Sequence, residues 1–227
     1  MAPRKSSYQV SATPVTIFAH LLVVAVTVLL LVWLVDKREG LAFKSDNQLK
    51  IFNVRSFKQL HPLLMIIGFV LIGGEAVMAY KTIPGTRRAQ KTVHWLLHLI
   101  ALLAGVIGIY AVFKFHHESG IPNMYTLHSW LGMITICLYG LQWLLAFFSY
   151  VFPGAEMSAR GSFLPWHSFF GLVIFFLAIC TAETGLVQKF IFLGLFRDQE
   201  ALIVNFTGLL ILLFGISVGL TVVLPTT

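Results

Sequence analysis

The chain has 227 residues, of which 58% are hydrophobic and 11% charged, and its mean hydropathy is +0.86. A water-soluble domain needs neither so much apolar surface nor so little charge, so an integral membrane protein is expected. The net charge of +7 is modest; without a soluble module of interleaved basic and aromatic residues it fits anionic lipid or an anionic small substrate, and argues against nucleic acid as a partner.

Residues 1–12 form a short polar lead. The apolar run 15–35 is too long for the core of a cleaved signal peptide, and no small-residue cleavage site follows it, so it reads as the first membrane helix, ending at Asp36. His20 lies roughly two turns inside and is expected to pack there. A long loop of mixed charge leads to His61-Pro62, which opens a second helix running to about Tyr80; proline is tolerated there because first-turn amides lack helical partners anyway. The turn KTIPGTRRAQK follows, with Pro84-Gly85 as its signal and Lys81, Arg87, Arg88 and Lys91 crowded at the membrane surface. A third helix has His94 at its entrance, His98 one turn below, an apolar middle over residues 96–113, and an end near Phe113.

A loop carrying Lys114, His116, His117 and Glu118 precedes the fourth helix, residues 127–150, which His128 opens. The Pro153-Gly154 turn and Arg160 lead to Leu164-Pro165-Trp166-His167, where a fifth helix begins and runs to about Val187; a sixth covers residues 202–224. The expected fold is therefore all-α, a single polytopic domain of residues 1–227 with six transmembrane helices.

Helices of alternating direction begin at alternating faces. His61 and His128 therefore share one face, and His94 and His167 the other. Bundles build cofactor sites from side chains on facing helices, and two neutral imidazoles trans to one another are a common way to hold a haem iron. The second to fifth helices would then form a four-helix haem-binding core. Gly132 and Gly171 each stand four residues beyond a histidine on the same helical face, leaving room for a flat macrocycle. A lone histidine near a helix end is usually only a polar residue reaching the interface; four in complementary positions favour haem, with packing and proton-relay histidines as the competing readings. His98 ranks as a supporting or packing residue and Met65 as core filler. Glu75 lies about 21 Å along the helix from His61, near the opposite surface. Cys137 and Cys180 sit inside apolar runs with no C-x-x-C or C-x-x-C-H pattern, which argues against a disulfide framework and against covalent haem attachment.

Several segments resemble the cytochrome b561 family of transmembrane ascorbate-dependent oxidoreductases, particularly its plant branch. They are DNQLKIFNV, GGEAVMAYK, KFH followed by IPNMYTLHSWLG, LPWH, and EALIVNFTGLLILLFG, with LHSWLG and LPWH the most specific. The resemblance implies two non-covalent haem b groups, one on His61 and His128 away from the cytosol, the other on His94 and His167 toward it. It implies a basic cytosolic pocket for ascorbate at Arg87, Lys91 and Arg160 with Lys81 nearby, and electron exit near His116 and Tyr125 to monodehydroascorbate or a ferric chelate. It further implies a vacuolar or other endomembrane location with a cytosolic amino terminus, and leaves a homodimer open. No further catalytic residue is assigned.

Two departures stand out. Residues 55–60 read as an insertion between Val54 and His61, expected to loosen the non-cytosolic haem, and Arg87 stands where the family has lysine. Charge does not decide orientation. With the amino terminus inside, the inner segments hold seven basic residues (Arg4, Lys5, Lys81, Arg87, Arg88, Lys91, Arg160) and the outer ones nine. If each iron sits one turn below its surface, the two are roughly 20 Å apart, which suits one-electron transfer. Two other classes remain alternatives on sequence alone: a histidine-relay proton or metal transporter, and a haem-binding subunit of a larger electron-transfer complex.

Overall fold

Where no water can pair with backbone amides, a spanning chain must satisfy them within each segment. The computed structural model, which describes residues 11–38 and 60–225, does so with six helices: α1 Thr13–Lys37, α2 Leu60–Thr82, α3 Arg87–Ser119, α4 Leu127–Tyr150, α5 Met157–Phe192 and α6 Gln199–Val223. All six are long and apolar enough to cross a membrane. Their outward faces carry exposed apolar side chains such as Leu21, Leu103, Leu141 and Leu209, as a lipid-facing surface requires.

Local chemistry sets several helix ends. Thr86, Thr126 and Asp198 cap α3, α4 and α6 by accepting the amides of Ala89, Ser129 and Ala201. Gly120, at φ +65°, ends α3 in the left-handed conformation that glycine adopts without penalty, and the Ile121 amide closes back on the His116 carbonyl at 2.9 Å. Wider π-type turns occupy Trp33–Lys37 of α1 and Leu64–Leu71 of α2.

The helix pairs in most extensive contact are α2 with α3, α1 with α6, and α4 with α5. Helices α2 to α5 form the four-helix core that carries the paired histidines. α1 and α6 pack alongside it, burying Trp33, Leu71, Met78, Ile211 and Phe214. Close approach of α2 and α3 depends on small residues, with Gly68 facing Ala104. We call the side bearing the α2–α3 and α4–α5 connections the turn face, and the side bearing the α3–α4 and α5–α6 connections the loop face.

The helices outrun the apolar segments. α3 begins at Arg87 and ends at Ser119, and α5 begins at Met157 and ends at Phe192. His94 therefore lies about two turns inside α3, and His167 nearly three turns inside α5. Pro165, expected just ahead of the fifth helix, is inside α5. His20 does more than pack: its Nδ1 lies 2.8 Å from Glu75 Oε1, joining α1 to α2 and giving that acid a partner. Of the apparent insertion, residues 55–59 lie outside the described residues, and Leu60 is the first residue of α2.

Candidate functional site: two facing histidine pairs

On the turn face, His94 of α3 and His167 of α5 face each other with ring centres 6.2 Å apart and planes at 75°. On the loop face, His61 of α2 and His128 of α4 do the same at 6.1 Å and 83°. Two imidazoles sharing one metal atom at about 2 Å each hold their ring centres roughly 6 Å apart. Direct packing or a shared hydrogen bond does not require that repeated spacing.

The other ring nitrogen is tied down on neighbouring backbone. Nδ1 of His61 donates to the Gly108 carbonyl at 2.9 Å, that of His94 to Ala76 at 2.8 Å, and that of His128 to Thr181 at 2.9 Å. A carbonyl can only accept, so these three rings carry their hydrogen on Nδ1 and keep Nε2 as the free donor nitrogen, the arrangement usual for a histidine ligand. His167 differs. Its Nδ1 meets the side-chain amide of Gln142 at 2.9 Å, and the same amide donates to the His167 carbonyl at 2.8 Å. The same amide nitrogen serves both atoms, so Nδ1 of His167 accepts where those of the other three rings donate.

Each pair opens into a cavity. The turn-face cavity, about 450 Å³, is lined by His94, His98, His167, Gly171, Gln142 and aromatic residues including Tyr80, Tyr139, Trp143 and Tyr150. The loop-face cavity, about 340 Å³, is lined by His61, His128, Gly132, Met65, Phe69 and Trp33, among others. Both volumes suit a cofactor or small-molecule site. Gly132 and Gly171 each lie on a cavity wall, as their spacing predicted. Gly185 makes room for the His128 ring. A Cβ there would stand 2.7 Å from His128 Cε1, so the missing side chain is the space the imidazole occupies.

The basic residues divide. Lys81, Arg87 and Lys91 line the turn-face cavity, with the Arg87 guanidinium 5.9 Å from the centre of the Tyr80 ring. Lys91 Nζ donates to the Tyr150 carbonyl at 3.0 Å, and Lys81 Nζ to the Leu224 carbonyl at the end of α6. Arg160 is not on that cavity's wall. Its Nε donates to the Ala155 carbonyl at 2.6 Å, and its own carbonyl accepts from the Tyr150 hydroxyl at 3.2 Å, which places it beside a wall residue. On the loop face His116 and Tyr125 both line the cavity, and His116 Nδ1 lies 2.9 Å from Asn123 Oδ1. Met65 also lines it, packed against Gly108 in the filling role expected of it.

His98 takes a supporting position, its ring centre 4.5 Å from that of His94 and its Nδ1 2.5 Å from the Tyr139 hydroxyl. Sequence reasoning passed over Tyr139, Gln142, Gly185 and Trp33. Gln142 carried a signal, because a polar side chain inside an apolar run is costly unless it meets a partner. The others look like ordinary membrane-helix residues until neighbouring helices are in place.

Six helices long and apolar enough to cross a membrane, with two pairs of facing imidazoles, one pair toward each face, suit a b-type membrane cytochrome. Comparison with known proteins leads to the same place: residues 60–193 match the family described as eukaryotic cytochrome b561. The chain belongs to the cytochrome b561 family. It is 49% identical over 221 residues to a probable ascorbate-specific transmembrane electron transporter of Oryza sativa subsp. japonica, covering 95% of this chain and 92% of the relative. It is 43% identical over 217 residues to transmembrane ascorbate ferrireductase 1 of Arabidopsis thaliana, covering 94% and 88%. A transmembrane ascorbate-dependent reductase of Pongo abelii is 37% identical over 205 residues, covering 87% and 77%.

Proposed function

We propose that this chain carries single electrons across a membrane between two haem b groups, one held by His94 and His167, the other by His61 and His128. The observation that carries the reading is the matched pair of imidazole separations, 6.2 and 6.1 Å, each on the wall of a cavity. Bound haem would supply the one-electron chemistry; the protein contributes axial nitrogens, burial and access.

The turn face is the electron entrance and the loop face the exit. Ascorbate is a monoanion at neutral pH, and Arg87 and Lys91, with Lys81 beside them, give its cavity positive charge. Oxidation there releases one electron and one proton and leaves monodehydroascorbate. On the loop face, monodehydroascorbate or a ferric chelate takes the electron near His116 and Tyr125. The turn face is cytosolic in this reading, so the amino terminus is cytosolic too, and the membrane is vacuolar or another endomembrane. The relatives named for ascorbate-specific electron transport and ascorbate ferrireduction support the substrate assignment.

The test compares reductants. Replacing Arg87 and Lys91 together by Gln should slow haem reduction by ascorbate and flatten its dependence on ionic strength, because screened attraction is what has been removed. A small neutral reductant should react at nearly its original rate. An unchanged ascorbate rate, or equal slowing with both reductants, would mean that ascorbate binds elsewhere.

A further inference from the structure

Trp33 lies on α1, which bears none of the four paired histidines, yet it lines the loop-face cavity and is only 1% exposed. A buried indole needs a partner for its N–H. It finds one on α6: Trp33 Nε1 donates to Glu200 Oε1 at 2.7 Å. The same oxygen accepts from Arg38 Nε at 2.6 Å, and the Arg38 guanidinium is also ion-paired with it through Nη2. Lys37 Nζ donates to Gln199 Oε1 at 3.2 Å, one residue back along each chain segment. The end of α1 and the start of α6 are thus clasped around a carboxylate whose charge Arg38 balances and whose oxygen orients the indole. The clasp begins where α1 changes to wide π-type turns, a local distortion often associated with functional positions.

We infer that Trp33 is a positioning residue of the loop-face haem site, a wall fixed by Glu200 and Arg38 that excludes water and lipid from the haem on His61 and His128. The inference rests on the proposal that this cavity holds haem. An apolar aromatic wall lowers the local dielectric, and ferric haem carries one more positive charge than ferrous haem. Opening the wall therefore favours the oxidised form and lowers the midpoint potential of this haem alone.

Redox titration of purified full-length protein, followed in the visible spectrum, tests this, with His61→Ala identifying the loop-face component. In Trp33→Ala, which opens the wall without changing any charge, that component should titrate at lower potential, with a severalfold fall in its ratio of reduced to oxidised form at a fixed solution potential; Trp33→Phe, which keeps the aromatic wall but loses the bond to Glu200, should move it the same way by less. The turn-face component should not move. A loop-face midpoint unchanged or raised in Trp33→Ala, or two components moving together, would overturn the inference. If His61→Ala removes no haem component, the cavity assignment itself fails, a result distinct from a wall that has no effect.

Discussion

At the loop-face site the ring of His128 fills the volume that a side chain at Gly185 would need. Gly185→Ala should therefore displace the His128 ring and, on the proposed ligation, lower the haem content of that face with the other component intact; haem quantification and visible spectra check this. Two intact components at normal occupancy would show that the ring can shift without cost. Gln142 gives the matching prediction for the turn face. Gln142→Leu removes both amide contacts to His167, so the turn-face component should shift in midpoint potential or be lost while the loop-face component stays. That the four histidines stand in facing pairs was legible in the sequence because polar residues at the ends of apolar runs stand out. Gly185, Tyr139 and Trp33 were not, since glycine and aromatic residues are common in any membrane helix and acquire a role only through a neighbour on another helix.

Hydropathy read the six spans correctly but not the helix ends. α5 extends to Met157 and α3 to Arg87, because hydrogen bonding continues past the apolar run wherever nothing stops it. A hydropathy pattern marks the part of a helix that meets lipid; caps such as Thr86 and Asp198 mark where the helix begins. The close α2–α3 contact was equally hidden, since it depends on Gly68 meeting Ala104 across two helices. Gly68→Val should force these helices apart and destabilise the fold by about 1–3 kcal/mol, as overpacking does. A lowered thermal midpoint for haem loss in detergent is the expected reading, and an unchanged one would mean the helices separate freely.

For the whole molecule the decisive feature is separation. Gly108, whose carbonyl holds His61, lies on α3 about 21 Å along the axis from His94, at about 1.5 Å per residue. The two cavities therefore sit toward opposite faces of one bundle, joined through a packed interior in which Tyr139 of the turn-face wall contacts Phe69 of the loop-face wall at 4.7 Å between ring centres. The facing of the histidines followed from alternating helix direction alone; the roles of α1 and α6 did not, because the Trp33 clasp joins residues far apart in sequence. The most direct test of two independent histidine-pair sites is the number of haem b groups per polypeptide in the wild-type protein, in His94→Ala and in His61→Ala. Two per chain in the wild type, and one in each variant with a different spectral component retained, is the expected result. A single haem per wild-type chain, or loss of the same component in both variants, would contradict it.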